Sequence, residues 1–299
     1  MKQHKKIWGF IIILLLIGIG LAGYHRYTRQ VNAKHYINSS TPTIFVHGWG
    51  SSYRAETQMV NAAKKAGASN SIIRANVSKG GQVKLIGTIA KNAKNPIVEV
   101  NLVNNKSANY KKPNDPKYVE EYHQSGIYIK NVVLALQKRY HIHKVNFVGH
   151  SMGNLLIAYY LADNANNQRL PKLAHQVVIA GHFNGLMMED PRSKQAKVNR
   201  KTGKPSIMLP EYKGILSLRQ TYPRTARVMN IYGDIKDGSH SDSQVPVNSA
   251  KSYKYLVGKR AKSYVEHEIT GKGAKHSNLH ENKQVDQYLI NFLWGKGQN

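Results

Sequence analysis

The sequence contains no cysteine. It therefore has no disulfide, no thiolate ligand for zinc or an iron-sulfur cluster, and no cysteine nucleophile, and any metal would have to be bound by histidine or carboxylate side chains. Acidic residues are also scarce: 16 Asp and Glu stand against 44 Lys and Arg, which gives the 299-residue chain a net charge of +28 at pH 7. Hydrophobic residues make up 41% of the chain. This share is too high for a disordered polybasic protein.

The N-terminus combines basic residues with an apolar run. Three lysines among the first six residues precede an uncharged stretch over residues 7–24. A helix of this length reaches roughly 27 Å, about the thickness of a bilayer core. Because the run is longer than the core of a cleavable signal peptide and bulky residues follow it, we predict a signal anchor over residues 1–24, with a transmembrane segment at 7–24. A cleaved signal peptide is the alternative.

The flanking residues predict where the rest of the chain lies. The N-terminal lysines favour a cytoplasmic N-terminus, so we expect the remainder on the extracellular face of the membrane, or secreted if the segment is cleaved. Residues 25–41 are polar and lack periodicity, which is typical of a tether. The first 35 residues hold six basic and no acidic residues, so 38 basic and 16 acidic residues remain, a net charge of +22.

This basic remainder restricts the expected partners. The sequence has no helix-turn-helix, RNA-binding aromatic or glycine-clamp signature, and an exported domain rarely meets nucleic acid, so we expect no nucleic-acid partner. Anionic cell-wall polymers or acidic lipid headgroups are better matched to a basic surface outside a membrane. The alternative is that the charge serves only solubility.

After residue 41 strand-like apolar runs alternate with helical stretches. This alternation predicts an α/β fold over residues 42–299, with a mostly parallel central sheet and helices on both faces. Gly80 and Gly81 predict a hairpin turn between the second and third strands. The predicted strands are 43–46, 71–77, 82–88, 96–103, 144–148, 176–180, 226–232 and 263–269, and the predicted helices are 53–66, 118–140, 152–162 and 285–294.

The alternation stops over residues 184–222. This stretch is rich in proline and basic residues and carries apolar groups at 186–188 and 207–209. A structureless loop of this length is improbable inside a compact domain, so we predict a cap or lid with short helices of its own. Its apolar groups suggest an acyl pocket, and its basic residues suggest tolerance for an anionic neighbour.

One motif points to a nucleophile. Gly149-His-Ser-Met-Gly153 fits G-x-S-x-G and lies between a predicted strand and a predicted helix, which is the context of a nucleophile elbow. Side chains in place of the two glycines would collide with the neighbouring strand and helix. Ser151 would then project at the carboxyl edge of the sheet, above the positive end of the helix dipole. The alternative is that Ser151 only caps the helix. We expect His150 to line the site or support the turn rather than act as a base.

Two motifs, each placed directly after a predicted strand, together resemble a known pattern. With His47-Gly-Trp-Gly50 after one strand and Gly149-His-Ser-Met-Gly153 after a later one, the sequence resembles the alpha/beta-hydrolase superfamily over about residues 41–295. More narrowly, residues 43–50, Gly-His-Phe-Asn-Gly at 181–185 and His-Ser-Asn-Leu-His-Glu-Asn at 276–282 resemble a family from Gram-positive bacteria that is predicted to comprise cell-surface hydrolases. The resemblance implies a serine hydrolase fold and an external location, and it leaves the substrate open.

Acyl transfer develops negative charge on a carbonyl oxygen, and two aimed backbone amides stabilise that charge. One donor is predicted to be the amide of Met152, directly after the nucleophile. The other would come from the loop after the first strand, where glycines permit close approach. Similarity to the superfamily implies that this second donor is the backbone amide of Trp49, with that of Gly50 as the second choice. The alternative is an ordinary glycine turn with Trp49 buried.

A serine hydroxyl also needs a general base and a carboxylate that orients it. His276 follows the last predicted strand and precedes the terminal helix, and His280 is its competitor. The loop after the penultimate strand holds Asp234, Asp237 and Asp242. We favour Asp242, because Asp-x-x-Val-Pro resembles the setting of the acid in lipases; the others would brace the loop. A calcium site there is disfavoured, since the loop lacks regular ligand spacing.

The chain order Ser151, Asp242, His276 is that of alpha/beta hydrolases. We therefore predict an extracellular, membrane-tethered serine hydrolase that cleaves carboxylic esters, such as lipids or acylated wall components, through an acyl-enzyme and without cofactor or metal. Amide or peptide hydrolysis and acyl transfer use the same triad and remain alternatives. So does a non-catalytic protein that binds wall polymers through its basic face.

Overall fold

The computed structural model describes residues 35–106 and 117–297, together with several positions between 14 and 23. The predicted transmembrane segment and the first part of the predicted tether lie for the most part outside these residues. No helix among the described residues has the length and apolar character needed to cross a membrane. The end of the predicted tether packs on the folded domain: the Ile37 amide donates to the Trp294 carbonyl (2.8 Å), and the Lys296 amide donates to that of His35 (3.0 Å).

The centre of the fold is an eight-stranded sheet with the order β3-β2-β4-β1-β5-β6-β7-β8. Every neighbouring pair is parallel except β2 and β3, which form an antiparallel hairpin. The predicted mostly parallel sheet and the hairpin are both confirmed. The strands are β1 (Thr43–Val46), β2 (Ile72–Val77), β3 (Val83–Ile86), β4 (Ile97–Leu102), β5 (Lys144–His150), β6 (Lys172–Ile179), β7 (Arg227–Asp234) and β8 (Ser263–Thr270).

Helices connect the strands and cover both faces of the sheet. They are α1 (Thr57–Lys65), α2 (Lys117–Tyr140), α3 (Met152–Asp163), α4 (Arg192–Gln195), α5 (Pro210–Gly214), α6 (Leu218–Thr221), α7 (Val247–Lys251), α8 (Tyr253–Val257) and α9 (Lys283–Trp294). Short 3-10 segments occupy Tyr53–Glu56, Gly271–Ala274 and His276–Glu281. The predicted helix over 53–66 is therefore split into a 3-10 turn, capped by the Ser52 hydroxyl, and α1.

Two apolar clusters show how the sheet is covered. One packs α2 and α3 on one face and includes Val132 and Leu155; the other packs α1 and α9 on the opposite face and includes Met59 and Leu289. Central strands between two helical layers must be apolar on both faces, which explains the short fully buried run of β1. The first nine residues of α3 are all buried, so this helix presents no polar face over that length.

The segment at 184–222 lies between β6 and β7 and contains α4, α5 and α6. It is attached to the helices beside it: Tyr159 Oη donates to the Glu211 carbonyl (3.0 Å), and Tyr212 Oη donates to that of Ser252 (2.9 Å). Leu209 is buried and Met208 packs against the main core, so the apolar group at 207–209 contributes to packing rather than to an open pocket.

The largest boundary difference concerns β6. The sequence predicts this strand over 176–180, whereas it runs from Lys172 to Ile179. The polar residues Lys172 and His175 interrupt the apolar pattern at the start of the strand, because this end is only partly buried and tolerates polar residues. Ala180 lies beyond the strand with φ of +51°, where the chain turns away from the sheet.

Candidate active site

The turn between β5 and α3 carries Ser151. This residue has φ of +52° and ψ of −125°, a conformation that costs free energy in a residue with a side chain. Its amide donates to the Ile179 carbonyl (3.0 Å), and Asn154 Nδ2 donates to the same carbonyl (2.9 Å). These bonds fix the turn to the end of β6. The Ser151 side chain forms no capping bond to the described first turn of α3, unlike the helix-cap alternative.

The two glycines of the motif are required by close backbone approaches. A Cβ at position 149 would meet the side-chain amide of Asn154, and a Cβ at 153 would meet the carbonyl oxygens of Val46 and His47. The loop after β1 is equally close, because a Cβ at Gly48 would lie 3.0 Å from that of Ser151. The turn therefore packs directly against the end of β1.

Three side chains form one hydrogen-bonded chain at the carboxyl edge of the sheet. Ser151 Oγ lies 3.0 Å from His276 Nε2, and His276 Nδ1 lies 2.7 Å from Asp242 Oδ2. Because a carboxylate only accepts, Nδ1–H donates to Asp242 and Nε2 accepts from the serine hydroxyl. A second bond, from the His276 amide to the Asp242 carbonyl (2.7 Å), ties the two loops together. All three residues are buried, with at most 7% of the surface of each exposed.

The three aspartates at the end of β7 and in the loop after it have separate surroundings. The other oxygen of Asp242 accepts from the amides of Gln244 (2.9 Å) and Val245 (2.7 Å), which fixes the carboxylate toward His276. Asp234 accepts from the amide and the ammonium of Lys236, and the exposed Asp237 accepts from the Ser239 amide. These two thus brace the loop. No group of three or more metal-ligating side chains occurs within the described part of the chain.

Two further histidines surround His276. His150 Nε2 donates to the His276 carbonyl (3.1 Å), and its ring lies 4.6 Å from that of His280. Burial, with His276 and His280 nearby, lowers the pKa of His150 well below its ordinary value, so this imidazole is neutral. His280 lies in the same 3-10 segment as His276 but packs on His150, and it is His276 that contacts Ser151.

The loop after β1 approaches the serine from the opposite side. Trp49 lines the same crevice as Met152 and is 41% exposed, which contradicts the alternative of a buried Trp49. The Gly50 amide donates to the Asn105 carbonyl (2.7 Å), so this donor is already engaged by the backbone. His47 Nδ1 donates to the Gly48 carbonyl (2.9 Å) and Nε2 accepts from the Leu102 amide (3.1 Å), which fixes the base of the loop.

The serine and His276 open into a crevice of about 410 Å³. Sequence reasoning assigned no role to several of its lining residues: Tyr122, His182, Glu189 and Gln244. His182 belongs to the Gly-His-Phe-Asn-Gly stretch at 181–185, and its position directly after a predicted strand is the feature of the sequence that places it near the site. Burial and the nearby His276 lower the pKa of His182 to about 3, so it is neutral. Leu186 and Met188, from the first apolar group of the cap, also line the crevice.

Comparisons with known proteins agree with this architecture. A family model described as "Alpha/beta hydrolase of unknown function (DUF915)" matches residues 30–296. The crystal structure of a gene product from Listeria innocua is similar at 25% identity and a TM-score of 0.71, covering 85% of this chain and 94% of that one. A "putative cell surface hydrolase" from Lactobacillus plantarum is similar at 21% identity and a TM-score of 0.61, with coverages of 85% and 89%. No curated protein matches the sequence significantly.

The sheet order, the strand-turn-helix at Ser151 and the structural matches define an alpha/beta-hydrolase fold. The predicted resemblance to that superfamily is confirmed. Because the family model covers most of the chain, the protein belongs to the family of alpha/beta hydrolases of unknown function that this model describes.

Proposed function

We propose that this protein is a serine hydrolase that cleaves carboxylic esters, with Ser151 as nucleophile, His276 as general base and Asp242 as the carboxylate that orients the imidazole. The observation that carries the proposal is the 3.0 Å separation of Ser151 Oγ and His276 Nε2 within an open crevice. The hydrogen bond from His276 Nδ1 to Asp242 supports the tautomer that leaves Nε2 able to accept a proton.

In the proposed cycle the Ser151 oxygen attacks the ester carbonyl carbon while its proton passes to His276 Nε2. The amides of Met152 and Trp49 stabilise the negative charge that develops on the carbonyl oxygen. Collapse of the tetrahedral intermediate breaks the bond to the alcohol, which leaves with the proton from His276. A water molecule then attacks the acyl-enzyme, again with His276 as base, and releases the acid and the free serine.

The proposed preference for esters rests on the lining of the crevice. Leu186, Met188 and Met152 supply apolar surface for an acyl chain beside Ser151. Amide hydrolysis and acyl transfer use the same three residues, so the leaving group and the acceptor decide among them.

Ester cleavage is tested with chromogenic esters of graded acyl length, run beside peptide substrates on the full-length protein in detergent. We expect ester turnover that Ser151→Ala lowers by several orders of magnitude without a change in thermal unfolding. Peptide turnover above ester turnover would replace the proposed reaction with amide hydrolysis. Ester turnover that survives in Ser151→Ala would contradict the assigned nucleophile.

We further propose that the N-terminal segment tethers the enzyme outside the cell. This rests on the basic residues followed by the apolar run over residues 7–24. The similar protein from Lactobacillus plantarum is described as a cell surface hydrolase, which is in keeping with this location. Mass spectrometry of the mature N-terminus separates an anchor, which keeps residues 1–24, from a cleaved signal peptide, which loses them. Protease treatment of intact cells should remove the folded domain; full protection would contradict the location.

Anionic polymers or lipid headgroups are the proposed macromolecular neighbours. Six basic residues and no acidic residue lie between Arg192 and Lys204, in the segment that contains α4. Binding of the full-length protein to a poly(glycerol phosphate) resin should weaken steeply with salt, while a neutral dextran resin should retain nothing. Strong resin binding without Ser151-dependent turnover would favour the non-catalytic alternative.

A further inference from the structure

The active-site crevice differs in charge from the rest of the protein. Although the chain carries a net charge of +28, the described residues that line the crevice include no lysine or arginine. Their one carboxylate is Glu189, which follows the apolar Leu186 and Met188 along the same wall. The crevice therefore has an acidic side chain and no lysine or arginine in its lining, inside a basic molecule.

The Glu189 side chain is held in place by tyrosines from α2. Tyr118 Oη donates to Glu189 Oε2 (3.4 Å) and also lies 3.4 Å from Tyr122 Oη. Both tyrosines are 2% exposed, and Tyr122 lines the crevice beside the carboxylate. Their packing limits the rotamers available to Glu189, so the acid is presented to a bound ligand in a restricted geometry.

Glu189 differs from its acidic neighbour along the chain. Asp190 pairs with Arg192, whose Nε lies 2.9 and 3.0 Å from the two carboxylate oxygens. None of the ion pairs formed within the described ranges includes Glu189. Burial raises the pKa of Glu189 to about 7, and that of the nearby Glu211 to about 8. A cation in the crevice would stabilise the ionised form of Glu189, which burial disfavours.

We propose that the crevice accepts esters that carry a cationic nitrogen group, which Glu189 binds. A carboxylate attracts an ammonium through charge, and a charge-assisted contact of this kind is stronger than one between neutral groups. The inference rests on the proposed ester hydrolysis, because it assigns a substrate class to the same site. The nitrogen group lies in the acyl part or in the alcohol part of the ester.

Two pairs of matched esters test the proposal. Acetylcholine is compared with 3,3-dimethylbutyl acetate, and a trimethylammonioacetyl ester is compared with the 3,3-dimethylbutanoyl ester of the same alcohol. Within each pair a quaternary nitrogen replaces a carbon atom of the same shape. The full-length protein is used in detergent at about 0.15 M salt, where screening limits repulsion of cations by the basic surface. We expect the cationic member of at least one pair to show about tenfold or higher kcat/KM after each value is divided by the rate constant for alkaline hydrolysis of the same ester, because an ammonium beside the carbonyl by itself speeds nucleophilic attack.

Glu189→Gln should lower kcat/KM on the cationic member about tenfold more than on the neutral member, and an unchanged thermal unfolding midpoint should show that the variant is folded. The matched control is Glu120→Gln, which removes an exposed carboxylate from α2 and should leave the preference unchanged. Absence of a preference in the wild type, its persistence in Glu189→Gln, or an equal loss for both members would overturn the inference.

The outcomes separate this inference from the proposed function. If the protein hydrolyses simple acetyl esters in a Ser151-dependent way but favours neither cationic member, or cleaves neither pair at all, only the substrate class is wrong. If Ser151→Ala and wild type show the same rates on every ester, the proposed ester hydrolysis is wrong and the substrate class is refuted with it.

Discussion

His150 Nε2 donates a hydrogen bond to the carbonyl oxygen of His276, 3.1 Å away, although 126 positions separate the two residues. His150 is the last residue of β5 and directly precedes the serine, while His276 begins the second of the two 3-10 segments after β8. The bond therefore joins the loop of the proposed base to the turn of the proposed nucleophile. Because a carbonyl oxygen only accepts, His150 Nε2 must carry a proton, and it donates whether the imidazole is neutral or protonated.

Loss of this bond should slow catalysis without weakening substrate binding. His150→Phe keeps an aromatic ring, although a larger one, and removes the donor, so we expect kcat to fall about tenfold while KM stays within about twofold. The measurement is steady-state kinetics on an ester that the wild type cleaves. His143→Phe, at an exposed position before β5, is the control and should behave as wild type. A rise in KM with unchanged kcat would show that His150 binds substrate instead.

Replacement of the aspartates distinguishes the proposed acid from the loop-bracing residues. Asp242→Asn should lower kcat by about a thousandfold or more, because an amide cannot hold the imidazole in the required tautomer. Asp237→Asn should change kcat less than about twofold, since Asp237 is exposed and contacts only its own loop. Near-normal rates in Asp242→Asn together with a large loss in Asp237→Asn would show that the acid is misassigned.

The second glycine of the motif should be intolerant of any side chain. In Gly153→Ala the added methyl would collide with the backbone oxygens of Val46 and His47, which belong to the central sheet and the loop after it. We expect the free energy of unfolding to fall by about 1 to 3 kcal/mol or more. Urea titration followed by tryptophan fluorescence measures it. Gly80→Ala, whose added methyl would have no neighbour closer than 3.9 Å, should stay within about 1 kcal/mol of wild type.

A buried carboxyl outside the proposed triad predicts the pH dependence of stability. Glu56 is fully buried, and neither of its carboxyl oxygens has a hydrogen-bond partner among the described residues. Burial, with Glu99 and Glu281 nearby, raises the pKa of Glu56 from 4.5 to about 8. The folded protein therefore retains a proton that the unfolded chain releases, so the contribution of Glu56 to the free energy of unfolding falls as pH rises from about 4.5 to about 8 and is constant above that.

Glu56→Gln should remove the loss of stability that ionisation of the buried carboxyl causes, because the glutamine amide carries no charge. The quantity compared is the free energy of unfolding of the variant minus that of wild type. We expect this difference to be about 2 to 4 kcal/mol larger at pH 8 than at pH 5. Urea titrations at both pH values give the difference. The exposed Glu120→Gln should show no pH-dependent gain. An equal gain of Glu56→Gln at both pH values would show that packing, not protonation, determines the effect.

Much of the architecture follows from local sequence patterns. The turn glycines, the apolar run of β5 and the apolar helix after Ser151 lie within about twenty residues, so the elbow and its flanking elements could be predicted without tertiary information. His276 was also predictable, because chain order in a parallel sheet brings loops after successive strands to one edge. The choice of Asp242 over Asp237 depended on motif similarity, and only the fold brings it within 2.7 Å of His276.

The recognition surface of the crevice could not be predicted in this way. Glu189 acquires its environment from Tyr118, which lies 71 positions earlier in the chain, and no local pattern indicates that contact. The positions of the two apolar groups in the predicted cap could not be predicted from local sequence either. Residues 186–188 and 207–209 look alike in sequence, yet Leu186 lines the crevice and Leu209 is buried in the interior. Which of them reaches the site is decided by tertiary packing.

Covalent labelling with a fluorophosphonate probe tests the central claim most directly. Peptide mass spectrometry of the labelled full-length protein should locate a single adduct on Ser151, and His276→Ala should slow its formation by orders of magnitude, since the hydroxyl then lacks a base. Unlabelled wild-type protein, an adduct on a different serine, or labelling at an unchanged rate in His276→Ala would contradict the account.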